Sequence, residues 1–371
     1  MTARESEPVS IIVLATLDAV ARECASIGLL MDLPDVVVVR HDPPTGVGSG
    51  VRRTITDVTG PVSSDVLPLD AGCCLSCAVR DDLLAAVTHL VEAGRWQTVV
   101  VALPLATGPE AVAFQLNQTI ADQLLPGAVL TSVVTVVDLE ALEHDLFGDD
   151  LLAERDLALG DMDRRSVGEA VAGQIEYADV VIAVAPGAPT AESLLRHLVA
   201  PTSQFHAGWN EVHAPNLVDR THNSSVARHR VDPLHARANG APDSDHVWTV
   251  ELTTSRPLHP ARLLHHIERL SGGRVRSRGY FWLPSRPGTA CIWDGSGGQL
   301  SIGHVGPWRR RRPGTRLVVT GVDADDRRRI EHTFAQVVAS ADEVSPHHRW
   351  AETEDGFEPW LGPHHSPTLQ P

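Results

Sequence analysis

Apolar residues along this chain fall into short unbroken runs rather than alternating patterns. Residues 9–14, 36–40, 99–103, 129–137 and 179–184 are almost wholly apolar and rich in valine and isoleucine. A strand-length run that is apolar at every position belongs in a sheet buried on both faces. The segments between these runs have helical spacing. Asp18 is placed to cap a helix running towards Leu30. Residues 80–94 put Leu83, Leu84, Val87, Leu90 and Val91 on one side and end at Gly94. Residues 110–125, 168–177 and 191–198 read the same way, whereas 41–50, rich in Pro and Gly, read as a loop. Strands alternating with helices predict βαβ units, that is, an α/β fold with a parallel sheet and helices on both faces. No apolar run approaches the ~20 residues needed to cross a membrane.

The pattern changes near residue 206. From 206 to 246 the apolar runs vanish and His, Asn, Pro and Arg dominate, which predicts a linker or a long irregular segment. Apolar patterning resumes with strands at 247–252, 276–283, 290–293, 300–304 and 316–319 and helices at 260–270 and 325–339. These predict a smaller α+β domain. The expected organisation is therefore an α/β domain over 1–205, a His-containing linker over 206–246, a second domain over 247–340 and a mobile polar tail over 341–371.

Composition changes this picture in three ways. The chain has no lysine, so all 31 basic residues are arginine. The net charge of −16 is unevenly spread: 32 acids and 15 arginines lie in residues 1–240, against 8 acids and 15 arginines in 241–330. The second stretch holds Arg274, Arg276 and Arg278, the run Arg309, Arg310, Arg311 and Arg312, then Arg316 and Arg327 to Arg329. Such a field attracts nucleic-acid phosphates unless the arginines pair with neighbours such as Asp323, Asp325 and Asp326. Finally, the five cysteines are too few and too clustered for a disulfide framework. With a polar N-terminus lacking a secretory pattern, this predicts a reducing cytoplasm.

Three of those cysteines make the sharpest local feature. Cys73, Cys74 and Cys77 follow Gly72 and precede the helical pattern. Three thiols within five positions can converge on one soft cation. Zinc is the cation that prefers thiolate and imidazole, and it is usually four-coordinate. Cys74 and Cys77 form the C-x-x-C pair, and a nearby helix start favours thiolates. A redox dithiol and buried structural cysteines are the competing readings. The fourth ligand is open: a histidine, a carboxylate, water or a partner protein. Cys24 and Cys291 stand alone and receive no role. The nineteen histidines show no ligand spacing on a clear helix.

The order of these pieces resembles the CobW-type GTPases, P-loop proteins that act as metallochaperones. The stretch from Gly72 to Leu83 is similar to that family's cysteine motif and the T-x-R-x-D-L after it. VVTVVD at 133–138 and QIEYADVV at 174–181 resemble two further family segments. The C-terminal match is strongest: Pro257, His259 and Pro260, the run Arg276-Ser277-Arg278-Gly279-Tyr280-Phe281-Trp282, then Arg286, Pro287, Trp293 and Trp308. The resemblance implies a P-loop-NTPase-like domain followed by a CobW C-terminal domain. The nucleotide motifs depart from the family pattern. Alignment on its phosphate loop puts Ala19 and Ala21 at glycines, Arg22 at the lysine and Glu23 at the magnesium-binding hydroxyl. A methyl at a glycine position blocks the close backbone approach of phosphate. Ala102-Leu103-Pro104-Leu105 and residues 183–188 replace two more nucleotide motifs. GTP binding is therefore not expected.

A nucleotide-dead relative that keeps a thiol cluster is similar to an actinobacterial group, the Mrf proteins. These recruit a ribosome hibernation factor to the small ribosomal subunit during zinc starvation. The resemblance implies the same partners here, with zinc sensed by Cys73, Cys74 and Cys77 and a possible rRNA contact through Arg309 to Arg312. Two other expectations stand beside it: a zinc metallochaperone that still binds or hydrolyses GTP, and a thiol-disulfide protein using Cys74 and Cys77.

Overall fold

The computed structural model describes residues 7–42, 50–68, 75–160, 162–244, 246–308, 311–344, 350 and 354–363. The N-terminal half runs β1 (Val9–Ala15), α1 (Ala19–Asp32), β2 (Val36–Asp42), β3 (Val51–Asp57), β4 (Gly60–Leu67), α2 (Leu75–Glu92), β5 (Thr98–Ala102) and α3 (Pro109–Ala121). It continues through β6 (Ala128–Asp138), α4 (Leu142–Phe147), α5 (Val167–Tyr177), β7 (Val180–Val184), α6 (Pro189–Leu198) and β8 (Gln204–His206). Among the described residues these strands form one eight-stranded sheet, ordered β4-β3-β2-β5-β1-β6-β7-β8. The pairs from β2 to β8 are parallel, and the β3–β4 hairpin adds antiparallel to the β2 edge.

The unbroken apolar runs are explained by two cores. Ile11 and Val13 of β1 point to one face, with Val37, Val39, Val99 and Val101, against Leu83, Val87 and Leu90 of α2 and Leu116 of α3. Ile12 and Leu14 point to the other, with Val36, Val38 and Val134, against Ala25 and Leu29 of α1. Burial of each such side chain contributes about 1.5–3 kcal/mol. The fold class is the one the pattern predicts.

The segment expected as a linker is not a free spacer. Residues 206–246 carry α7 (Pro215–Val218) and α8 (Ser224–Val231) and lie along the sheet. Ala214 and Leu217 are buried in one core and Ala227 in the other. His222 is fully buried beside Asp179, with Nδ1 to Oδ2 at 2.6 Å. The apolar content is too sparse to read as an element, yet Ala214, Leu217, Ala227 and Ala236 are buried.

The C-terminal half adds β9 (Trp248–Thr254), α9 (Pro260–Ser271), β10 (Val275–Phe281), β11 (Thr289–Ser296), β12 (Gln299–Pro307), β13 (Thr315–Gly321) and α10 (Ala324–Val337). Its antiparallel sheet is ordered β12-β11-β10-β13-β9. Leu263 and Leu270 of α9 and Ile330 and Phe334 of α10 pack with Trp248, Phe281 and Trp293. The tail was expected to be mobile throughout, but its described part is docked. α11 (Glu358–Leu361) follows Phe357, which is fully buried in this core. Asp355 accepts from Arg286 Nε at 2.8 Å and Ser285 Oγ at 2.6 Å.

Glu176 joins the two halves. Its Oε1 accepts from Arg276 Nε at 2.9 Å, and its Oε2 accepts from Arg276 Nη2 and Arg278 Nη1, each at 3.0 Å. Burial alone would raise the Glu176 pKa, but the two guanidinium charges outweigh it and hold the carboxyl below its ordinary value. A second seam is backbone-tight: a Cβ on Gly168 would stand 2.7 Å from the Gly297 nitrogen.

Candidate functional site

Three residues, Thr16, Leu17 and Asp18, separate β1 from α1. The first N–H groups of a helix are a ready anion site. Here the chain supplies its own anion: Asp18 Oδ1 accepts from Ala21 N at 2.6 Å. Arg22, where the resemblance places the phosphate lysine, is buried and turned aside. Its Nη2 lies 2.6 Å from Asp42 Oδ1, and its Nη1 donates to the Leu103 carbonyl at 3.3 Å. Arg40 pairs with Asp42 at 2.9 Å and with Glu23, so the charges around the loop are matched among themselves. The segment after β5 is stitched to the same turn, with Leu103 N donating to Leu14 O at 2.9 Å and Ala106 N to Thr16 O at 3.2 Å.

Beside this turn lies a cavity of about 170 Å³ lined by Asp18, Asp138, Asp145, Arg155 and Gln174 among others. Small-molecule sites typically span about 300–1,000 Å³. Burial pushes the Asp145 pKa up, against the opposing pull of Arg155. Three carboxyl groups facing one arginine make a poor seat for a triphosphate. Gln174, which the sequence reading did not single out, ties α5 to the loops by donating to Thr107 O at 2.9 Å.

Of the thiol cluster, Cys73 and Cys74 lie outside the described residues. Cys77 falls in the first turn of α2, a helix that begins before the expected residue 80. Five residues further along α2, about 7.5 Å up the axis, stands Asp82. Its Oδ2 lies 2.7 Å from Nε2 of His41 at the end of β2, and its Oδ1 accepts from Arg53 Nη1 at 2.9 Å. Burial raises the Asp82 pKa, but the His41 hydrogen bond and the Arg53 charge outweigh it and hold the carboxyl below its ordinary value.

His41 is fully buried. Its Nδ1 is buried too and has no hydrogen-bond partner among the described residues. A carboxylate accepts, so Nε2 carries a proton, and in the tautomer with hydrogen on Nε2 alone the lone pair of the imidazole is on Nδ1. An imidazole held by a carboxylate through one nitrogen and open at the other is the donor arrangement of zinc-binding histidines. Among the described residues, His41 thus offers one zinc-type donor atom at the end of β2, beside α2. Among the described residues, no three His, Cys, Asp or Glu side chains already converge on a metal-sized point. His41 carries no local signal in the chain, because its partner Asp82 is 41 positions away. Elsewhere, Cys24 is exposed, and burial pushes the Cys291 thiol up to about 12.

Most of the arginine-rich stretch is paired. Arg276 and Arg278 hold Glu176, Arg274 meets Glu143, Arg316 meets Glu251, Arg327 meets Asp243 and Glu331, and Arg328 and Arg329 meet Asp325 and Asp326. Arg309 and Arg310 lie outside the described residues. Arg311 donates to the Leu234 carbonyl and to His235 Nε2, each at 2.6 Å, and Arg312 is exposed. The described arginines on either side of the 309–312 run are thus largely matched by carboxylates. Among the described residues, no helix is long and apolar enough to cross a membrane.

Comparison with known proteins gives matches to both halves. Residues 51–197 match the CobW/HypB/UreG nucleotide-binding domain, and residues 247–338 match the cobalamin synthesis protein CobW C-terminal domain. A zinc chaperone of Mycobacterium tuberculosis is 27% identical over 373 residues, covering 90% of this chain and 89% of the relative. The zinc-regulated GTPase metalloprotein activator 1 of Dictyostelium discoideum is 25% identical over 295 residues, covering 74% of this chain and 61% of the relative. The crystal structure of Zn(II)-bound YjiA GTPase from E. coli aligns with 90% of this chain and 99% of its own, at 14% identity and a TM-score of 0.36.

Proposed function

We propose that this chain, which joins a CobW/HypB/UreG nucleotide-binding domain to a CobW C-terminal domain, is a zinc-responsive binding protein without GTPase activity. On its resemblance to the Mrf proteins, it recruits a ribosome hibernation factor to the small ribosomal subunit when zinc is scarce. The observation that carries the loss of catalysis is the β1–α1 turn. Asp18 already occupies the helix N-terminus, and Arg22 is engaged by Asp42 and Leu103. Phosphoryl transfer needs a backbone cradle, a cation on the phosphates and a magnesium ligand. Alanines, a diverted arginine and Glu23 stand in those places.

The zinc role is supported by the thiol cluster together with Asp82, further along α2, and its partner His41 at the end of β2. Zinc bound there orders the entry to that helix, because ligands that a metal holds together cannot separate without losing it. A switch follows: the zinc-loaded and zinc-free forms present different surfaces beside α2. Arg309 to Arg312 are the proposed contact with rRNA phosphates.

The test is recovery of the tagged chain from zinc-starved and zinc-replete cells. Small-subunit proteins and a hibernation factor enriched only under starvation are expected. Neutralising Arg309 to Arg312 should weaken that capture most at low salt and make it less salt-dependent than the parent's. Recovery of zinc enzymes with no ribosomal proteins would reject the recruiting role. The second reading, a zinc metallochaperone with residual GTP binding, is favoured by the relatives' names and by the match over 90% of the chain. GTP with magnesium separates the two readings. A ligand of the native state raises the unfolding temperature by mass action. No shift is expected up to millimolar GTP, and a saturable shift at micromolar GTP would establish the second reading.

A further inference from the structure

A cavity of about 340 Å³ lies between the two halves of the molecule, away from the β1–α1 turn and from α2. Its size and its place at a domain junction match small-molecule sites. The charged lining is mostly cationic, with Arg230, Arg237, Arg276 and Arg278 around Glu176. The carboxylate in the lining is Glu176, and both of its oxygens are taken by Arg276 and Arg278. Arg230 is likewise engaged, 3.0 Å from Asp179. Two guanidinium groups keep free N–H groups. Arg278 uses only Nη1, towards Glu176 and the Arg230 carbonyl. Arg237 has no carboxylate partner among the described residues and bonds only to the Ala236 carbonyl, at 3.2 Å. His229 and His235, also in the lining, have ring centroids 4.3 Å apart in a tilted pair. Leu198, Val226 and Val318 supply apolar wall.

We propose that this cleft binds a small organic phosphate. The phosphoryl group sits between Arg237 and Arg278, whose planar N–H forks match oxyanion geometry. The organic body lies on the wall of Leu198, Val226 and Val318. Arg237 comes from the segment after α8 and Arg278 from β10, so the ligand bridges the two halves. Arg311, joined to His235, lies at the rim of the same cleft. The inference is independent of zinc and of the ribosomal role.

The test is calorimetric titration of the full chain with AMP, GMP, ribose 5-phosphate and inorganic phosphate, and with a short single-stranded RNA. Saturable binding of at least one organic phosphate is expected, tighter than inorganic phosphate. Arg237→Ala should weaken it by about tenfold or more. Arg237 is exposed, so this variant should fold as the parent does, and an unchanged melting temperature without ligand checks that. Arg228→Ala, away from the cleft, should bind as the parent does. Absence of binding by all four phosphates, capture of RNA alone, or binding that Arg237→Ala leaves intact would each overturn the proposal.

Discussion

Glu176→Gln is expected to lower the free energy of unfolding by about 3–5 kcal/mol, the cost of breaking a buried ion pair from one side. The variant is nearly isosteric, so the loss would report charge rather than volume. Arg276 and Glu176 are 5% and 4% exposed, and Arg278 is 15% exposed. Removing the carboxylate leaves two adjacent guanidinium groups with no counter-charge between them, only Asp294 remaining to Arg276. Glu192→Gln is the control. Its pair with Arg196 is largely exposed, so the expected change is under about 1 kcal/mol.

The pH dependence has a definite sign. The folded Glu176 pKa lies below the ordinary value of 4.5. A carboxyl depressed on folding contributes stability that is fully present above its unfolded pKa and is lost as pH falls through the folded one. Asp179 and Asp355 share that direction. The parent should therefore begin to lose stability below about pH 4.5, and the gap between it and Glu176→Gln should narrow as pH falls further. Urea unfolding at pH 7.5 and at pH 3.5, followed by tryptophan fluorescence, checks both points. Equal destabilisation at the two pH values would mean that packing, not charge, is what Glu176 contributes.

What could be read from the chain beforehand depended on how locally each feature is encoded. β1, β5 and β7 are legible because a strand covered on both faces must be apolar at nearly every position. The cap at Asp18 is legible because capping is local. The β3–β4 hairpin was missed. It reads Val-Arg-Arg-Thr-Ile-Thr-Asp before a turn at Gly60, whose φ is +116°, and it covers only one edge of the sheet. Its signal lay in the alternation of buried Val51, Ile55 and Asp57 with polar neighbours. The docking of the 206–246 segment onto the sheet is not legible, because Ala214, Leu217 and Ala227 are too scattered to form a run. Charge pairing was least legible: Glu176 and Arg276 are 100 residues apart. No spacing rule reaches that far, so the arginine field seemed broader in sequence than it is on the surface.

Such long-range pairing underlies the expected effect on zinc. Asp82→Asn should weaken zinc binding by about 10–100-fold, the usual consequence of losing the group that orients a metal-bound histidine. His41→Ala should weaken it at least as much, and Cys74→Ser with Cys77→Ser more, since thiolates are direct ligands. Cobalt(II) substitution separates these roles. The thiolate-to-cobalt charge-transfer bands should persist in Asp82→Asn and His41→Ala but collapse in the double cysteine variant. The visible ligand-field bands should shift in His41→Ala, because one nitrogen donor is replaced by water. Loss of fold is a distinct outcome, visible as a changed circular dichroism spectrum of the zinc-free protein. A properly folded His41→Ala variant with parental zinc affinity and an unshifted cobalt spectrum would remove His41 from the site. The buried Nδ1 would then need another partner, and the thiols would need a fourth ligand from elsewhere.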